Sequence, residues 1–176
     1  MRNNLVFTLT GPDRIGIVEE VTQVLLEYSG NVETSRMARL GGEFAILMLV
    51  SIPADRIVDL STGVDSLSAA GYKITIGQTV EADAQQRNWL AYHIELQGAD
   101  HEGIVHEVAR YLSQRGINIE EMETALVAGA MSGVPLFTMT AQVAVPPELV
   151  EQDWVAELEG VGHHLNVDLQ VTPANA

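Results

Sequence analysis

The chain contains no cysteine, which excludes disulfides, thiolate metal ligands and cysteine nucleophiles. Aromatic residues make up only 5%, too few for an RNA-recognition module, which stacks bases on sheet aromatics between basic flanks. Cations are scarce: nine Lys and Arg stand against 24 Asp and Glu, for a formal net charge of −15. Such a surface repels phosphate backbones and argues against direct nucleic-acid binding. Its plainest consequence is solubility. The imbalance is uneven, −4 over residues 1–88 and −11 over 89–176. No apolar run is long enough to cross a membrane. Met1-Arg2-Asn3-Asn4 leads into a strand-like segment without the pattern of a signal peptide, so a cytoplasmic location is expected.

What the chain does contain is a repeat. Gly11-Pro12-Asp13-Arg14-Ile15-Gly16-Ile17-Val18 returns as Gly98-Ala99-Asp100-His101-Glu102-Gly103-Ile104-Val105, and Asn31-Val32 returns as Asn118-Ile119, at a constant offset of 87. That period is too long for a solenoid unit and points to two small domains of one fold. A hydrophobic content of 47% over 176 residues is enough for two cores. The domains are expected at 1–80 and 89–173. The polar, aperiodic stretch 81–88 between them reads as a linker.

Within each copy the hydrophobic period alternates between strand and helix. Leu5, Phe7 and Leu9 alternate as one face of a strand. Gly11 to Ile15 reads as a turn. Ile17, Val21, Val24 and Leu25 follow at helical spacing, and Gly30 is the expected C-cap. Asn31–Leu40 reads as a strand and Gly41-Gly42 as a hairpin turn. Phe44–Ile52 reads as a central strand with little exposure, closed by Pro53. A helix over Ala54–Ala70 and a strand over Tyr72–Ile76 complete the copy. The second copy repeats this order, with helices expected over Gly103–Gln114 and Glu148–Glu159. Its hairpin, Ala128 to Val134, is six residues longer. Met37, Met48, Met122 and Met139 fall in strands and are expected in the core. Each half is therefore β-α-β-β-α-β, an α+β fold of ferredoxin-like plan with helices on one face of an antiparallel sheet.

This plan hosts many functions, so the site must decide. A heavy-metal module needs the missing cysteines. A phosphatase needs a cationic cradle, and the loops offer only Arg14 and His101 beside Asp13 and Asp100. An apolar strand, Gly-x-Asp-x-x-Gly-Ile-Val, an amphipathic helix and then Asn-aliphatic resemble the ACT domain, in both halves. Tandem pairs without an attached enzyme resemble the glycine cleavage system transcriptional repressor group, most closely over Asn31–Phe44. The resemblance implies a small amino acid bound at the interface between two ACT units paired side by side.

The chemistry suits such a ligand. A helix start leaves backbone N–H groups unpaired and carries partial positive charge. At Gly16-Ile17 and Gly103-Ile104 these groups can hold an α-carboxylate. Asp13 and Asp100 can take the α-ammonium, and Asn31 and Asn118 offer donors and an acceptor. Arg14 is counted with the site, although surface charge explains it equally. Structural alternatives stay open for the rest. Asp13 and Asp100 can be helix N-caps, Gly16 and Gly103 can serve tight packing, and Asn31 and Asn118 can be turn residues. Glu102 would compete with an anionic ligand, so a single working site would be the one at Asp13, Gly16 and Asn31.

No metal or other cofactor is expected. His101 and His106 are five apart, and His163 and His164 would point apart on a strand. His93 is expected on the open sheet face. No nucleophile–base pair appears, so no enzyme is expected. Two readings remain: an amino-acid sensor acting on transcription through a protein partner, or an ACT-type dimerisation or docking module without ligand. Both have the chain as a homodimer.

Overall fold

The computed structural model describes residues 1–79, 88–128 and 135–174. The expected linker, apart from Asn88, lies outside them, as does most of the longer second hairpin. The chain divides into two compact units, Met1–Glu81 and Ala82–Ala176.

The first unit runs β1 (Arg2–Pro12), α1 (Ile17–Glu27), β2 (Asn31–Leu40), β3 (Glu43–Pro53), α2 (Ile57–Gly63), α3 (Asp65–Ala69) and β4 (Lys73–Gln78). Its antiparallel sheet has the order β2-β3-β1-β4. The second unit runs β5 (Leu90–Ala99), α4 (Ile104–Gln114), β6 (Asn118–Ala128), β7 (Pro135–Val145), α5 (Trp154–His164) and β8 (Val167–Pro173), in the order β6-β7-β5-β8. The β-α-β-β-α-β plan is thus present twice. Even the irregularities repeat: a bulge follows Val32 in β2 and Ile119 in β6. No helix among the described residues is long and apolar enough to cross a membrane.

The cores form where the alternating strands meet the helical stripes. Leu5, Phe7 and Leu9 of β1 are buried against Val21 and Leu25 of α1 and Leu60 of α2. Ile94, Leu96, Val108, Leu112 and Leu158 play the same part in the second unit. Tyr111 of α4 donates to the carbonyl of Trp154 at 2.7 Å, and its burial pushes the phenol up to about 12.

Several elements depart from the periodicity. The expected helix over Ala54–Ala70 is a 3-10 turn followed by two short helices that break at Val64. Gly63 lies under the Tyr28 ring, where a Cβ would come within 2.3 Å. In the second unit Pro146-Pro147 opens a 3-10 turn rather than a helix, and α5 begins only at Trp154. His163 and His164 therefore lie in the last turn of a helix, not on a strand. Strand β3 is less covered than its apolar run implies, since Leu47 faces outward and is half exposed. Met48 and Met139 are core, whereas Met37 on the edge strand β2 is not.

The two open sheet faces differ. On the first, Val6 pairs with Leu49 and Thr8 with Leu47, and Arg36 and Lys73 supply cations. On the second, Glu95, Glu121, Glu123 and Asp168 join His93 among threonines and glutamines. His93 is thus on the open face, as its alternation predicts.

The helix exits show how the same corner is made by different residues. The left-handed position after α1 is Ser29 (φ 59), not Gly30, while its counterpart after α4 is Gly116 (φ 68). Gly30 serves space instead, since a Cβ there would meet the Leu25 carbonyl at 2.9 Å. A left-handed non-glycine residue costs roughly 1–2 kcal/mol. Ser29→Gly should therefore raise stability by up to about 1 kcal/mol once the entropy of the unfolded glycine is counted, and Gly116→Ala should lower it by about 1 kcal/mol; urea titration reads both. A second pair of glycines lets the central strand meet its neighbour. A Cβ on Gly11 would lie 2.6 Å from the Tyr72 ring, and one on Gly98 2.6 Å from Val167. Gly98→Ala should cost about 1–3 kcal/mol by overpacking, measurable as a lowered denaturation midpoint.

Candidate functional site: the two strand-to-helix loops

Both loops leave the central strand at the same end of the sheet and turn into a helix through a left-handed glycine. Gly16 has φ 93 and Gly103 φ 97, and each is the N-cap of an 11-residue helix. A Cβ at either would meet nothing within 4 Å. These glycines serve the backbone turn and not tight packing, which falls instead to Gly11 and Gly98.

The aspartates are not caps. Neither α1 nor α4 has a side-chain cap hydrogen bond. The first N–H groups of each helix therefore remain without a capping side chain, the condition that favours an anion. Asp13 instead lies 3.1 Å from Nε of Arg39 on β2, and its N–H donates to the Gly42 carbonyl at 2.9 Å. Ile17 and Ile104 are buried core side chains, so only their backbone faces the loop. Asp100 is exposed.

Arg14 forms a forked pair with Glu20, one bond at 2.6 Å and a second, shorter one between Nη2 and Oε2. The hydrogen bond from Arg14 holds the Glu20 carboxyl below the usual carboxylate range, and the same bond raises the guanidinium still further. The Arg14 guanidinium also lies 5.6 Å from the centre of the Tyr72 ring, and Tyr72 donates its hydroxyl to the Pro12 carbonyl at 3.0 Å. In the second loop, position 14 becomes His101, whose ring nitrogens lie 3.0 Å from the Glu102 carbonyl and 2.8 Å from the Leu165 carbonyl.

Asn31 and Asn118 do not join these loops. Asn31 pairs with Ser51 on β3, whereas Gly11 pairs with Phe44. Seven strand residues separate the two levels, roughly 23 Å at ~3.3 Å per residue. Asn118 pairs with Ala144 and Gly98 with Phe137, the same seven residues apart. The cause is topological, because the helix carries the chain back along the sheet before β2 or β6 begins. Asn31 belongs to another cluster. It donates to Glu33 at 3.0 Å, and so does the Ser51 hydroxyl at 2.8 Å. These bonds, Ser51 first, hold the Glu33 carboxyl low. Arg2 closes the cluster through the carbonyls of Ser51 at 2.6 Å and Ser29 at 3.0 Å.

Arg39 and Tyr72 were not foreseen as neighbours of the loop. For Arg39 the one signal in the sequence is the turn at Gly41-Gly42, since folding the hairpin brings the end of β2 up to Asp13. Tyr72 had none, because it reaches Pro12 across the sheet.

Comparison with known proteins adds a second line. The model of the ACT domain matches residues 3–75, which include the first loop. The crystal structure of an unknown protein from Galdieria sulphuraria superposes over 99% of both chains with a TM-score of 0.87 and 33% identity. That of a putative glycine cleavage system transcriptional repressor covers 98% of this chain and 97% of its own, with a TM-score of 0.68 and 21% identity, and shares the fold. The glycine cleavage system transcriptional repressor of Escherichia coli is 47% identical over 47 residues, 27% of this chain. That match spans 25% of the repressor's own length. The first unit matches the ACT domain, and the second repeats its fold and its loop, so the chain has the build of a tandem ACT pair.

Proposed function

We propose that the chain is a regulatory protein that senses a small amino acid, glycine or one of similar size, and acts on transcription through a protein partner. The ACT units are those of residues 1–80 and 89–173, joined through 81–88. The observation that carries this reading is the first loop. There the N–H groups of α1 have no capping side chain, and the same loop carries Asp13, whose carboxylate pairs with Arg39 of β2. The N–H groups suit an α-carboxylate and Asp13 an α-ammonium. The ACT-domain match over residues 3–75 and the likeness of a 47-residue stretch to the Escherichia coli repressor support it.

The ligand set is narrower than spacing alone implies. Gly16, Ile17 through its backbone, Asp13 and the neighbouring Arg14 remain together, and Asn31 stands too far away to share one small molecule within the unit. Binding would shift the population between conformations that a partner distinguishes, which requires unequal affinity for the two. The strongly acidic chain leaves DNA contact to that partner. These residues bind and catalyse nothing in this reading, and the regulator works in the cytoplasm as a homodimer.

Isothermal calorimetry of the full chain against the twenty amino acids tests it. At least one should bind, and Asp13→Ala should weaken it roughly 10–100-fold, the worth of a charge-assisted hydrogen bond. A panel with no binder removes the sensing role.

A further inference from the structure

His101 occupies the place of Arg14 in the second copy, and its surroundings define its charge. The ring stands between two backbone carbonyls, Nδ1 at 3.0 Å from that of Glu102 and Nε2 at 2.8 Å from that of Leu165. A carbonyl oxygen only accepts. A neutral imidazole has one N–H and satisfies one of the two, leaving a lone pair against the other oxygen. The imidazolium donates to both.

The position favours that cation. Leu165 is the C-cap of α5, so its carbonyl sits at the negative end of the helix dipole. The titratable groups on the elements that meet at the ring are Asp100 and Glu102 on its own loop, His163 and His164 in the last turn of α5, and Asp168 on β8. Asp100 supports the charged ring. His164 turns its Nδ1 to the Gly160 carbonyl, 2.7 Å away. The bond to Leu165, then that to Glu102, raise His101 above the ordinary histidine value.

We propose that His101 is a proton-operated latch: as an imidazolium it holds the Leu165 carbonyl at the end of α5 and the Glu102 carbonyl of its own loop together, and as a neutral ring it keeps only one of these bonds, so the loop is held less firmly to α5. The first unit lacks this dependence, because the guanidinium of Arg14 stays charged and is fastened to Glu20. Of the two copies of one loop, one is fixed permanently and one conditionally. The latch goes beyond the sensing role and operates without a ligand.

The direction with pH follows from linkage. A folded pKa above the unfolded value of about 6.5 gives a contribution that is fully present below 6.5 and lost as pH rises through the folded pKa. Nitrogen NMR of the full-length chain reads the ring, and amide hydrogen exchange, corrected for its intrinsic pH dependence, reads residues 100–103. The His101 midpoint should lie above that of an unfolded histidine, with both ring nitrogens protonated below it, and loop protection should fall across the same midpoint. His101→Arg should keep the loop protected at every pH, and His101→Leu should leave it unprotected at every pH. A His101 midpoint at or below 6.5, or wild-type loop protection that does not follow the ring titration, overturns the latch.

Discussion

The first strand of each unit is hydrogen-bonded along both of its edges, and the rest of the unit is placed by its two ends. β1 pairs with β3 from Arg2 to Pro12 and with β4 from Leu5 to Thr10; β5 does the same with β7 and β8. A strand so enclosed needs a small residue where its neighbour crowds it, which is the role of Gly11 against Tyr72 and Gly98 against Val167. At the next step the chain must leave the sheet and enter a helix within four residues. The left-handed glycine makes that turn, and in making it sets the helix N–H groups beyond the strand end without a capping side chain. The candidate site is thus a by-product of how a central strand is joined to its helix.

Much of this was legible from the sequence, for reasons tied to particular residues. Leu5, Phe7 and Leu9 alternate because one face of β1 is core, and Gly41-Gly42 announced the hairpin. The paired loops were visible as a repeat. What each loop glycine does was not. Tight packing is one open reading of Gly16 and Gly103 in the sequence, yet it belongs to Gly11 and Gly98, because the crowding by Tyr72 or Val167 comes from residues more than sixty positions away. Asn31 looked like a site residue because it repeats in step with the loop. A repeat preserves sequence spacing, however, and the intervening helix converts that spacing into separation across the sheet. The start of α5 was hidden because Pro146-Pro147 suits a helix start as well as a 3-10 turn.

Duplication makes each unit a control for the other. Positions that carry backbone geometry are kept: the left-handed loop glycines, the crowded glycines, the bulges at 33 and 120. Charge is kept at Asp13 and Asp100 but has diverged at other positions. Arg14 faces Glu20, whereas His101 faces carbonyls. One open sheet face holds Leu47 and Leu49, the other Glu95 and Glu123. The fold was copied, and the electrostatics were rewritten on it.

The corner after α1 has a consequence of its own. Ser29 holds a backbone conformation that its side chain disfavours, and its carbonyl is gripped by Arg2 together with that of Ser51. The second residue of the chain thereby braces a bend that comes twenty-seven residues later. Loss or fraying of those first residues would be felt at the junction between α1 and β2 before it reached the core. That junction is therefore a sensitive local reporter of how firmly Arg2 and the start of β1 are docked.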